Sequence, residues 1–210
     1  PILQLDVLQG QLGTLADLRA VVEAAHARGI RVLLDLVINH TSDRHPWFLE
    51  AVTGPEAEHR SWYRFASAPG PDNEYGDNNW RPSPTGDDWY FGFFSPRMPD
   101  LDWESPEVRA EMKSIGDLGL LEMGVVRPLM EDAAGRTTNV PRTHTMLAEF
   151  GGHLRRITPG ALTVGEVFDS TAALVPYYPD QFDSYFAFQL ANGIVDAART
   201  GSRTRLFSVV

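Results

Sequence analysis

Glu166 closes the apolar run in LTVGEVFD, and His40 closes another, IRVLLDLVINH. Asp35 lies inside the second run, and Asn39 immediately precedes its histidine. Each run is short, apolar, and ends on polar side chains. That pattern describes a buried strand delivering reactive groups at its C-terminal end. In a barrel of parallel strands, chemistry is done at that end. A carboxyl group presented beside a histidine and an aspartate on a neighbouring strand suits work on sugars. Local sequence also allows plainer uses: Glu166 as a solvated strand end, His40 as a capping or core histidine. His40 and His45 are five apart across a loop, which is not a metal-ligand spacing, and no Cys supports one. His26, His59, His144 and His153 read as surface residues.

The elements that must position these groups follow from periodicity. Thr14–Arg28 reads as a helix, capped by Thr14, with Asp17 in its first turn and Gly29 as its stop. Leu15, Leu18, Val21, Val22 and Ala25 form its apolar face. Ile30–Ile38 reads as a strand buried on both faces, because its apolar run is nearly continuous. There an ionised Asp35 is costly unless paired. Ser105–Pro106–Glu107 opens a further helix, with Val108, Met112 and Ile115 on its face. Leu120–Met130 is the expected place of the next strand, poorly formed because Gly124 and Pro128 interrupt it. Arg142–Arg156 reads as a helix weakened by Gly151–Gly152. Ala161–Val167 reads as a strand, and Asp183–Thr200 as partly helical. Helices alternating with buried strands imply an α/β architecture.

Residues 41–104 differ in kind. They hold all five Trp, 13 of the 22 aromatic residues and eight Pro. No helical period follows Glu58. Such a stretch after a strand end describes an irregular insertion beside a binding site. One or two of its aromatic rings are expected to stack on a sugar, the rest to pack within the insertion. The predicted organisation is therefore a barrel segment over 1–40, an insertion over 41–104 and a second barrel segment over 105–210.

Composition narrows the partners. At 210 residues and 43% apolar, the chain can bury a core. A net charge of −10 argues against nucleic acid, which needs basic surface. No apolar run approaches the ~20 residues of a membrane span. No signal peptide is recognisable, so a cytoplasmic location is expected, although the chain starts at Pro1 without Met.

The stretch GTLADLRAVVEAAHARGIRVLLDLVINHTSDRHPWF resembles the α-amylase family, glycoside hydrolase family 13. It is most similar to the α-glucosidase, oligo-1,6-glucosidase and trehalose synthase branch. Asp35–His40 matches the first conserved region of that family. Met98–Trp103, MPDLDW, resembles its QPDLNW-like loop motif, and Gly165–Glu166–Val167 its acid/base region. The resemblance implies a (β/α)8 TIM barrel, of which this chain supplies about strands three to five, with an insertion domain after the third. It implies an oligosaccharide or α-glucoside substrate. By resemblance Glu166 is the general acid/base, kept protonated by burial and a nearby carboxylate. His40 binds a sugar hydroxyl, and Asp35 holds the site together through Arg127. Asn39 corresponds to a calcium ligand in some family amylases. No metal is expected here, and Asn39 is the position where Ca²⁺ would sit.

The nucleophile is the departure. The family carries it in a Gly-Phe-Arg-x-Asp segment, where this chain reads Met123–Leu129, MGVVRPL. If Arg127 matches the motif Arg, Leu129 stands at the nucleophile position, and leucine cannot attack an anomeric carbon. Glu131 and Asp132 follow two and three residues later. The later Asn-His-Asp motif is absent from the sequence. Two functions remain open: an incomplete catalytic domain of the retaining α-glucoside type, or a non-catalytic remnant that binds glucan or is purely structural. An incomplete barrel would leave strand edges open, so oligomers through those edges are expected.

Overall fold

A computed structural model describes residues 13–73, 75–116, 135–137, 139–160, 162–178, 180–202 and 204. The Leu120–Met130 strand, Arg127, Leu129, Glu131 and Asp132 all lie outside the described residues.

Helix α1 spans Leu15–His26. Thr14 accepts from the Asp17 backbone N–H, and Asp17 accepts from that of Thr14, a capping box that satisfies two first-turn donors. The segment that follows, residues 30–38, is extended but has no ladder partner among the described residues. Its burial alternates. Leu36 and Ile38 are buried, whereas Ile30, Leu33 and Asp35 are exposed. This corrects the expectation of a strand buried on both faces: Leu36 and Ile38 are in the core and Leu34 and Val37 pack partly against it, while Ile30, Leu33 and Asp35 are exposed. The cost expected for a buried Asp35 carboxylate therefore does not arise, because Asp35 is in water.

The insertion is more ordered than its composition suggests. It contains helix α2, Pro46–Ala51, and a 3₁₀ turn at Arg60–Trp62. His45 caps α2 by accepting the Trp47 N–H at 3.2 Å, so this histidine is a buried structural residue. Glu50 accepts from the backbone N–H groups of His59, chiefly, and of Glu58, and its carboxyl is thereby held below its ordinary value. Strands β1 (Phe65–Ala66), β2 (Trp80–Pro82) and β3 (Trp89–Phe91) form an antiparallel sheet in the order β1-β3-β2. His59, His144 and His153 are half-buried, not surface residues, and His26 is exposed as expected.

Helix α3 (Pro106–Gly116) packs against α4 (Pro141–Ile157), and Trp103 meets Phe150 edge-on between them. Gly151 does not simply weaken α4. It is buried, and a Cβ there would collide with the Gln181 carbonyl oxygen, so glycine permits the close approach of that chain. The strand expected over Ala161–Val167 is confined to β4, Val164–Gly165. It pairs in parallel with β5, Ser184–Tyr185, not with residues 30–38. A short helix, α5 (Thr171–Leu174), lies between β4 and β5, and α6 (Phe188–Thr200) follows. The region expected to be partly helical thus begins as a strand. A single core of Leu36, Ile38, Phe48, Leu101, Val108, Leu147, Tyr177 and Tyr185, among others, runs from the insertion into the helices.

Candidate active site

The end of the 30–38 segment is stitched to the MPDLDW loop. Trp103 Nε1 donates to the Ile38 carbonyl at 2.7 Å, and Leu101 N–H donates to that of Asn39 at 2.9 Å. Thr41 N–H donates to Pro99, and His40 pairs with Asp100 in an antiparallel bridge. The same loop reaches the insertion, because Asp100 N–H donates to Phe91 and Asp102 N–H to Trp62. Buried backbone groups are costly when unpaired. This loop satisfies three of them, the Ile38 and Asn39 carbonyls and the Thr41 N–H, at the point where His40 leaves the segment.

His40 is 8% exposed. Asn39 Nδ2 lies 2.6 Å from its Nδ1. An amide nitrogen only donates, so the ring accepts at Nδ1 and carries its hydrogen on Nε2. Below it, Thr41 Oγ1 and Tyr63 Oη are 2.7 Å apart, and burial pushes the Tyr63 phenol well above its ordinary value. The Phe94 ring meets the imidazole edge-on at 5.4 Å.

Glu166 is positioned from the other side. Asp183 accepts from the backbone N–H and hydroxyl of Thr163, at 2.8 and 2.7 Å, and so anchors the start of β4. Gly165 lies against Tyr185, where a Cβ would strike the ring. Glu166 follows directly and is half-buried.

These two supports meet at one cavity of about 400 Å³, lined by Asp35, Asn39, His40, Phe94, Met98 and Glu166, among others. Three residues singled out from the sequence, Asp35, His40 and Glu166, are therefore brought together; the fourth, Arg127, lies outside the described residues. Phe94, Ser95 and Met98 also line the cavity and were not singled out. Their signal was position: they immediately precede or begin MPDLDW, which the backbone bonds tie to His40. Among the described residues no three His, Cys, Asp or Glu side chains gather as metal ligands, and Asn39 gives its amide N–H to His40.

An extended segment and a parallel strand pair that end at one cavity, with helices behind and an insertion beside it, make a partial (β/α)-barrel. The solved structures agree. The α-amylase of H. orenii superposes with a TM-score of 0.78 at 33% identity, over 94% of this chain and 41% of that one. The trehalose-6-phosphate hydrolase of Bacillus licheniformis gives 0.76 at 26% identity, over 86% and 37%. Alpha-amylase 3 of Dictyoglomus thermophilum is 32% identical over 88% of this chain and 36% of its own length. The trehalose-6-phosphate hydrolase of Escherichia coli is 36% identical over 74% and 32%. The family described as alpha amylase, catalytic domain, matches residues 2–209. The chain belongs to that family, and it spans about a third of the length of the curated relatives it matches.

Proposed function

We propose that this chain is the part of an α-glucoside-acting catalytic domain that carries the acid/base and the sugar-binding histidine. The observation that carries this is the single cavity lined by Asp35, His40 and Glu166. In a complete site Glu166 would protonate the leaving glycosidic oxygen while a separate carboxylate, not identified in this chain, bonds to the anomeric carbon, and would then deprotonate the water or sugar hydroxyl that displaces that carboxylate. His40, with its hydrogen on Nε2, donates to a sugar hydroxyl. Asp35 orders the site, and Arg127 is its proposed partner. Phe94 supplies an apolar wall to a pyranose ring. The substrate class is an oligosaccharide or α-glucoside.

Retention of configuration needs a second carboxyl group about 5 Å from the first. If Arg127 matches the motif Arg, Leu129 stands where the resemblance puts it. That observation favours a second reading, in which the chain binds glucan without turning it over. The exposed apolar side chains of Ile30, Leu33, Leu162 and Phe168 support association between copies of the chain. No described helix is long and apolar enough to cross a membrane.

The test is calorimetric titration with maltotriose. Saturable binding that weakens about tenfold or more in His40→Ala is expected, the loss of a buried hydrogen bond to the sugar. Equal affinity of parent and variant would exclude this cavity as the sugar site.

A further inference from the structure

Three phenylalanines gather beside Glu166 where β4 and β5 end. Gly165 is in register with Tyr185, and the Phe186 N–H donates to the Gly165 carbonyl at 3.1 Å. The next residues along the two strands, Glu166 and Phe186, are therefore lateral neighbours. Burial alternates along both. Gly165, Val167 and Tyr185 are buried, whereas Glu166 is half-buried and Phe168 and Phe186 are 51% and 42% exposed. Side chains two apart in an extended chain share a face, so Glu166, Phe168 and Phe186 lie together on the outer one. Phe168 stacks on Phe188 with ring centres 3.8 Å apart, and Phe186 tilts against the same ring at 5.8 Å. Phe188 opens α6 and backs the other two. None of the three rings lines the cavity that Glu166 shares with His40, so this aromatic ledge lies outside that cavity, on its Glu166 side.

We propose that Phe168 and Phe186 form the binding surface for the leaving-group sugar, the unit across the glycosidic oxygen from the one held at His40. The assignment rests on the function proposed above. An acid/base touches the oxygen between two sugar units. With one unit in the cavity beside His40, the other passes out across Glu166, and the ledge is what flanks Glu166 there. The chemistry of the two surfaces matches. A pyranose carries C–H groups on its faces and hydroxyls around its rim, so it can cover a phenyl ring while its hydroxyls stay in water. Phe168 and Phe186 remain half exposed after their contacts with Phe188, which leaves apolar area for such a partner.

Titration of the whole chain with glucose and with maltotriose separates the two units. The parent is expected to bind maltotriose more tightly than glucose. Phe168→Leu and Phe186→Leu should each weaken maltotriose about tenfold, the scale of burying part of a phenyl ring, and leave glucose unchanged. Phe168→Tyr keeps the ring and should keep the affinity. His40→Ala should weaken both sugars. A melt of each variant checks the fold, and both leucine positions are exposed enough to tolerate the change. Maltotriose affinity indifferent to both leucine variants overturns the ledge and, if His40→Ala still weakens binding, leaves the function above standing. Equal weakening of glucose and maltotriose overturns it too, because the rings would then act on the cavity rather than on the second unit. Leucine variants that change only the sedimentation of the chain would show that a second copy covers the ledge instead. Indifference of both sugars to His40→Ala removes the function above and this assignment with it, as does a parent that binds neither sugar.

Discussion

At the scale of single residues, two side chains carry distinct predictions. If Arg127 matches the motif Arg, the nucleophile position holds Leu129, which cannot form a glycosyl-enzyme bond, and a missing nucleophile deletes the covalent step itself. No release of nitrophenol from an aryl α-glucoside is therefore expected from this chain. Release that vanishes in Glu166→Gln would show that Glu131, Asp132 or another carboxylate serves instead. Asp102 makes a prediction about pH. Burial raises its carboxyl above the ordinary value of 3.8, opposed by the Glu104 N–H and by Arg64. A carboxyl whose affinity for its proton is higher in the fold stabilises below its unfolded value and loses that contribution as pH rises through its folded value. Asp102→Asn keeps an acceptor for Glu104 and removes the buried charge. It should melt above the parent near neutral pH, with the gap closing below pH 3.8. A gap that persists in acid would show that the carboxylate is not the cause.

At the scale of elements, α4 carries a paired test. Gly151 faces the Gln181 carbonyl, whereas a Cβ at Gly152 meets nothing within 4 Å. Gly151→Ala should cost about 1–3 kcal/mol, as overpacking does. Gly152→Ala should add about 0.5–1 kcal/mol, because alanine loses less freedom in a helix. Denaturant midpoints measure both, and equal signs would remove the close approach as the reason for Gly151. The MPDLDW loop is the other element on which the site depends. Its backbone, together with the Trp103 indole, holds the residues on either side of His40.

At the scale of the whole molecule, the exposed apolar residues of the 30–38 segment carry a prediction about behaviour in solution. Leu33 and Ile30 are more than half exposed, and no closed barrel covers them among the described residues. Exposed apolar surface beside an extended segment invites association. Sedimentation should show oligomers, more of them at high salt, where the repulsion of a −10 chain is screened. A monomer at all salt concentrations with a sharp, cooperative melt would contradict this.

Local chemistry made much of this legible in advance. The cap at Thr14, the stop at Gly29, the opening of α3 at Ser105–Pro106 and the approach of a helix to Ile157 are short-range effects, fixed by neighbours within a turn. Asp35, His40 and Glu166 stood out because polar groups at the ends of apolar runs are conspicuous in one dimension. Burial across residues 30–38 was not legible, because an apolar run reads alike whether one face or both are covered. The extent of β4 and its pairing with β5 rather than with residues 30–38 depend on partners far along the chain. So do the roles of Asn39 as the orienting partner of His40, of Gly151 as a contact, and of Phe94 and Met98 as cavity wall. Such features exist only once distant segments meet, and long-range contacts leave no periodic mark on the sequence that makes them.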